Sequence, residues 1–315
     1  MKLNQNMNVA AFAAVIALSA AAGHAQISIP TVPVGNAGNA PNSTPLGPYG
    51  GVSYTYNVAT TEVTNAQYTA FLNAVAWDDT NSLYNSNMAG SFGGINRTGS
   101  IGAFVYNTVS GRENNPVNFV SFWDSARFAN WLHNGQPMGS QDNSTTENGA
   151  YTLTAGTIAA NTVTRNTNWQ WAIASANEWH KAAYHQPAAQ GGDADDYWLY
   201  PTSSNTAPTA GQANYLPAGF GDTVPVASFG ANFYGCYDMA GNVYERTDTP
   251  LAFVRGPLWG GAFDNIAGWL TPLNPYAPPP AEERAQVGFR VVAVPAPSAV
   301  AILGLGGLLT TRRRR

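Results

Sequence analysis

YGCYDMAGNVYER runs from Tyr234 to Arg246 and gathers two carboxylates, Asp238 and Glu245, with Gly241, Asn242 and the only cysteine of the chain, Cys236. Asp, Asn and Gly together favour a tight corner. Carboxylates beside free carbonyls are also what a hard cation such as calcium requires. The residues alone leave both readings open: a metal loop, or a metal-free turn in which Asn242 and the carboxylates bond backbone amides. Cys236 has no histidine near it in sequence to act as a base, so it is expected to be a small buried apolar residue rather than a redox thiol.

Outward from this corner, the composition narrows the class. Charged residues make up 10% of the chain, and the formal net charge is −4. Ordinary domains carry about 25% charged residues. Asn, Thr, Ser and Gly fill the difference, which suits a secreted, weakly charged surface. A lone cysteine forms no internal disulfide. The acidic balance argues against binding nucleic acid through its phosphates and is compatible with attracting cations.

Both termini read as processing segments. Lys2, an apolar run from Val9 to Ala22 and the small residues Gly23 and Ala25 form a secretory signal over residues 1–25. At the other end, VPAPS from Val294 precedes a short apolar stretch, Ala299 to Leu309, and then Arg312 to Arg315. Residues 294–315 resemble a PEP-CTERM sorting tail, with Ala296 in place of the motif's glutamate. Contact with the membrane is expected only through this tail before processing. Such tails occur in bacteria that build exopolysaccharide. Residues 26–52, rich in Pro, Gly and Asn, read as a linker, and one domain is expected over 53–293.

Inside the domain, helix starts are written clearly. Thr64 caps a helix with Tyr68, Phe71, Leu72 and Val75 on one face. Ser121 with Asp124 caps a second, whose Phe122, Ala126, Ala129 and Leu132 turn inward and which Gly135 ends. Ser175 with Glu178 caps a third, ANEWHKAAYH. AYTLTAG, NTVTRN and NWQWAIAS read as short strands. Turns and aromatic residues dominate beyond the third helix. The expected class is α+β, with few helices, short strands and long loops.

Seven pieces in fixed order now carry a family resemblance: TTEVTNAQYTAFLNAV (60–75), NPVNFVSFWDSARFANWL (115–132), SANEWHKAAYH (175–185), GQANY (211–215), YGCYDMAGNVYER (234–246), WGGAFDN (259–265) and VGFRVV (287–292). The chain resembles the formylglycine-generating enzyme family, the sulfatase-modifying factor domain, over roughly Ser53 to Val292. The resemblance implies a variant of the C-type lectin fold. It also implies a structural calcium held by the side chains of Asp238 and Glu245 and the carbonyls of Gly241 and Val243. A second family calcium site would involve Asn214 and the carbonyls of Tyr215 and Phe220. Ala218 stands where that site needs an aspartate, and Asp222 is the nearby substitute.

The family's enzymes hold copper with two cysteines five residues apart, just after a Gly-Gly-Ser turn. Thiolates suit Cu(I) because both partners are soft. Here the turn is Gly260-Gly261-Ala262, and the two positions hold Asn265 and Leu270. A copper oxidase is therefore not expected. His180 and His185 are five apart on a helix, about 140° around it, and do not face one metal together; they are expected to be solvated or at the edge of the core. Trp259, Trp269 and Tyr276 fall in the segment that forms the substrate groove of relatives. Their rings either stack on sugars there or fill the core. The expectation is an exported, non-catalytic surface or matrix module, with extracellular polysaccharide as its partner. The competing expectation is a formylglycine-generating oxidase acting on a sulfatase cysteine.

Overall fold

The computed structural model describes residues 26–251 and 254–295 of the chain. The expected signal, and the tail from residue 296 onward, lie outside the described residues. Among the described residues no helix is long and apolar enough to cross a membrane.

The N-terminal part lays down β1 (Thr31–Val34), the hairpin β2 (Asn42–Thr44) and β3 (Gly47–Tyr49), then β4 (Tyr56–Ala59). Helix α1 (Asn65–Val75) follows, then the hairpin β5 (Ile95–Thr98) and β6 (Val105–Thr108), and helix α2 (Phe122–His133). A short helix α3 (Ala155–Ala159), strand β7 (Trp171–Ile173) and helix α4 (Ala176–Tyr184) complete the first two thirds. The remainder is loops and very short strands: β8 (Tyr244–Glu245), β9 (Pro250–Leu251), β10 (Val254–Arg255), β11 (Val287–Gly288) and β12 (Val291–Ala293). The protein is thus mixed α+β with few helices and small sheets, as the sequence led one to expect.

All three expected helix starts are present with reciprocal caps. Thr64 Oγ1 accepts from Gln67 N while Gln67 Oε1 accepts from Thr64 N, and Ser121/Asp124 and Ser175/Glu178 repeat the arrangement. Each cap contributes about 1 kcal/mol by satisfying amides that the first helical turn leaves open. The four predicted inward residues of α2 are buried, but so is every residue from Phe122 to Leu132. The helix runs through the interior instead of lying on it. Asp124 is tolerated there because it caps its own helix, and Arg127 because it pairs with Glu147 at 2.7 Å.

The main sheet has the order β1-β4-β12-β7, and every pairing is antiparallel. The last strand lies in the middle, with Val292 opposite both Val58 and Ala172. The chain therefore closes on itself, and both ends of the domain depend on one another.

Two expectations change. Residues 26–52 are not a linker: β1 pairs with β4 over four residues, Val34 and Val52 are buried, and Lys181 Nζ donates to the Asn36 carbonyl at 2.8 Å. Pro33 fits because β1 is an edge strand, where a missing amide proton costs no ladder bond. The AYTLTAG and NTVTRN stretches are not strands either. Tyr151 makes a single bridge to Arg165, and Thr154, capped reciprocally with Thr157, starts α3.

Candidate functional site

The 238–246 corner folds back onto the core. Gly241 holds φ = +83° and its backbone lies so close to Asn214 that an added Cβ would stand 2.1 Å from the Asn214 carbonyl oxygen. Only glycine fits there. Asn242 at φ = +62° then spans the gap: its Oδ1 accepts from Asn214 Nδ2 at 3.1 Å and from Val224 N at 3.0 Å, and its Nδ2 donates to Glu62 Oε1 at 3.2 Å.

Behind this corner lies a buried charge cluster. Arg290, fully enclosed, donates from Nε to Glu245 Oε2 at 2.5 Å and from Nη2 to Glu245 Oε1 at 2.6 Å. Two of its three remaining protons reach the carbonyls of Ala59 and Tyr237, both at 2.9 Å. Trp179 Nε1 adds a third bond to the Glu245 carboxylate at 2.7 Å. Burial, the largest single influence, lowers the Arg290 pKa, but the charge and hydrogen bonds of Glu245 together with the charge of Glu62 outweigh it and hold the guanidinium above its ordinary value.

Two further carboxylates share the cluster. Asp238 Oδ2 accepts from Ala227 N at 2.5 Å, whereas Asp238 Oδ1 is buried with no hydrogen-bond partner. Glu62 Oε2 is likewise buried without one, its nearest cation being Arg290 Nη2 at 3.9 Å. Burial pushes the Asp238 carboxyl up to about 6. Burial, and then the charge of Asp238, hold Glu62 well above the usual carboxylate range.

Of the expected calcium ligands, Asp238 and Glu245 are therefore brought together, but they are placed differently. Asp238 presents an unsatisfied oxygen, as a hard cation requires. Glu245 gives both of its oxygens to Arg290 and Trp179. The carbonyls of Gly241 and Val243 belong to the same stretch of chain, and among the described residues no group of three or more His, Cys, Asp or Glu side chains could hold a metal ion. At the second expected site Asn214 Oδ1 is buried and unpartnered, but Asp222 does not replace the aspartate lost at Ala218. Both Asp222 oxygens are taken by Arg112, at 2.8 and 3.0 Å.

A cleft of ≈ 280 Å³ opens beside β8 and β11, lined by Tyr244, Asp264, Asn265, Trp269, Tyr276, Arg284 and Gln286. Tyr244 and Tyr276 pack at 5.4 Å between ring centroids, and Trp269 is 39% exposed. Gln286 Nε2 donates to Asp264 Oδ2 at 2.8 Å, and Arg284 Nε pairs with Glu282 at 2.5 Å. Aromatic faces and both hydrogen-bonding polarities meet in one open groove.

The two positions where the family's copper thiolates would stand part company. Asn265 lines the cleft, its Oδ1 accepting from Ala262 N at 2.9 Å. Leu270 is fully buried with Tyr200, Ala213, Tyr215 and Ala240. No sulfur lines the cleft, so its residues do not fit Cu(I). Cys236 sits in the main core with Tyr56, Trp179 and Met239, and burial pushes its thiol up to about 12. It behaves as the expected buried hydrophobe.

Trp259 is not in the groove. It is fully buried, stacked on Trp179 at 5.8 Å and edge-on to His180 at 5.4 Å. The histidines are more enclosed than expected. His180 is fully buried and His185 nearly so, and burial lowers their pKa values to about 3 and about 4. His185 Nδ1 bonds the Tyr234 hydroxyl at 2.7 Å. Sequence reading passed over Glu62, Arg290, Tyr244, Asp264, Arg284 and Gln286. A carboxylate in TTEVTN and a guanidinium in VGFRVV, each set among β-formers, were the available signals for the first two.

These features define a sulfatase-modifying-factor-like domain. The chain belongs to the sulfatase-modifying factor enzyme 1-like domain family, whose pattern matches residues 31–294. Among solved structures it is similar to CarF, with 22% identity, a TM-score of 0.55, and coverage of 85% of this chain and 99% of that one. It is also similar to Treponema denticola variable protein 1, with 18% identity, a TM-score of 0.52, and coverage of 87% and 98%. PvdO from Pseudomonas aeruginosa matches with 18% identity, a TM-score of 0.49, and coverage of 85% and 92%. No curated protein sequence matches the chain. At these identities the structural likeness speaks for the fold alone.

Proposed function

We propose that this protein is an exported, calcium-stabilised binding module that grips glycan in the Trp269 cleft and performs no copper oxidation. One observation carries the reading. The groove where the family would place its thiolates exposes an indole beside two tyrosines, a carboxylate and two amides, while the second thiolate position is packed into the core as Leu270. Sugar rings present apolar C–H faces edged with hydroxyls. Trp269 and Tyr276 suit the faces, and Asp264, Asn265 and Gln286 suit the hydroxyls. Calcium would be held by Asp238 with the carbonyls of Gly241 and Val243, and its positive charge would offset buried negative charge in the corner. Export to the cell surface or matrix is supported by the two terminal segments of the sequence.

The test is binding of the mature protein to a panel of bacterial polysaccharides, followed by tryptophan emission. At least one glycan should shift the emission, and Trp269→Ala should weaken that binding about tenfold or more, ~1.4 kcal/mol. A flat response across the panel would remove the glycan reading. Stoichiometric Cu(I) binding together with oxidation of a Cys-x-Pro-x-Arg peptide would remove the non-catalytic one.

A further inference from the structure

We infer that the Trp269 cleft is one half of a longer binding surface, whose other half is a second pocket across the 266–273 turn, and that this surface takes an extended, uncharged polysaccharide chain. The inference rests on the glycan reading above and adds the length and the charge of the ligand.

The second pocket, ≈ 200 Å³, has Asn42, Asp193, Asp195, Trp198, Asn205 and Leu273 in its walls. It repeats the chemistry of the cleft: a half-buried indole and an exposed apolar side chain, with carboxylates and amides. These groups are held in place. Trp198 Nε1 donates to Gln186 Oε1 at 2.9 Å. Asn205 donates from Nδ2 to Asp193 Oδ2 at 2.9 Å and accepts at Oδ1 from Leu199 N at 2.9 Å. Asp195 Oδ1 accepts from Tyr197 N at 3.1 Å. A sugar hydroxyl donates to a carboxylate and accepts from an amide, so the set suits a polyol.

The turn between the pockets joins them. Residues Ala267–Leu270 form a 3-10 helix, in which positions three apart lie on the same side. Ile266 and Trp269 keep that spacing, and with Leu273 they are exposed large apolar side chains. Buried Leu270 anchors the turn, and Thr271 Oγ1 and Asn274 Nδ2 close it by donating to the Gly268 carbonyl at 2.8 and 3.0 Å. Trp269 in the cleft and Leu273 in the second pocket are four residues apart, so their backbones lie within about 14 Å. Exposed apolar surface rimmed by polar groups marks a place of interaction. At ≈ 280 and ≈ 200 Å³ each pocket falls short of the ~300–1,000 Å³ that encloses a whole small ligand. A chain lying across the turn uses both.

Charge selects the kind of chain. The second pocket carries Asp193 and Asp195 and, among the described residues lining it, no lysine or arginine. In the cleft, Arg284 is already paired with Glu282. The protein as a whole carries a formal charge of −4. A chain of uronates or sulfated sugars would meet like charge along its length, which disfavours it. Neutral sugars meet only hydrogen-bonding groups and apolar faces.

The test is the affinity of the mature protein for size-fractionated cello-, xylo- and manno-oligosaccharides of two to eight residues, with oligogalacturonates of the same lengths as the acidic comparison. In at least one neutral series the octasaccharide should bind about tenfold or more tightly than the disaccharide. In Trp198→Ala, and separately in the surface variant Leu273→Ser, that ratio should fall towards one, with thermal midpoints recorded for both. A purely structural effect would weaken every length alike and leave the ratio unchanged. Disaccharide binding with no gain in length, or a wild-type ratio in both variants, overturns the second pocket and leaves the glycan reading standing. Tighter binding of oligogalacturonates than of any neutral series overturns the uncharged chain. Absence of binding by every series overturns the whole inference, and the response to the polysaccharide panel then decides the glycan reading separately.

Discussion

Replacing Arg290 with methionine should cost about 3–5 kcal/mol, a large part of a domain's whole stability. Methionine keeps most of the volume and removes the charge. Glu245 would then remain at 0% exposure with only Trp179 donating to it, in a cluster that already holds Glu62 and Asp238. The carbonyls of Ala59 and Tyr237 would lose their donors as well. Those carbonyls belong to β4 and to the approach to the 238–246 corner, so one side chain ties the central sheet to the corner. Urea unfolding measures the loss. The double variant Arg290→Met/Glu245→Gln should recover part of it, because the stranded charge goes while the unsatisfied carbonyls stay. A loss below about 1 kcal/mol for the single variant would mean that water reaches Glu245 and that the pair is not sealed.

That pairing also shows where the sequence stopped being legible. The helix starts were readable because a cap is local: Ser121 and Asp124 are three residues apart, and their chemistry is complete within one turn. The tie between Arg290 and Glu245 spans 45 positions, and that between Asn242 and Glu62 spans 180. Nothing in VGFRVV says which carboxylate its arginine meets. The motif resemblance put Asp238 and Glu245 in one ligand set, yet it could not say that one presents a free oxygen while the other, on β8, is already satisfied. That difference is made by Arg290 and Trp179, from distant elements.

The aromatic residues teach the same lesson. Trp259 and Trp269 lie on one short segment and carry the same local signal. Packing of Tyr49, Trp179 and His180 against Trp259 seals the first ring, while the second is left to the cleft. The N-terminal edge strand was hidden for another reason. Its Pro and Gly content is that of a linker, and its strand character comes from pairing with β4 instead of from its own propensity.

Truncating Leu270 to alanine should destabilise the protein by about 2–5 kcal/mol, through lost burial and the cavity left behind. Its side chain is wholly enclosed, and an added Cβ on Gly261 would stand 2.6 Å from Leu270 Cδ2. The Gly260–Gly261 turn, at φ = +94° and +70°, is thus moulded onto this leucine. The Leu270 carbonyl also accepts from the Tyr184 hydroxyl at 3.0 Å, linking the segment to α4. Asn265→Cys, by contrast, gives up chiefly the bond from Ala262 N on a half-open wall and should cost about 1 kcal/mol. The two positions five residues apart then differ in tolerance because one faces the cleft and the other has become core. Denaturant midpoints for both variants check this. If Leu270→Ala costs less than 1 kcal/mol, the position is not sealed, and the proposal that this scaffold has closed the place of a redox pair loses its physical basis.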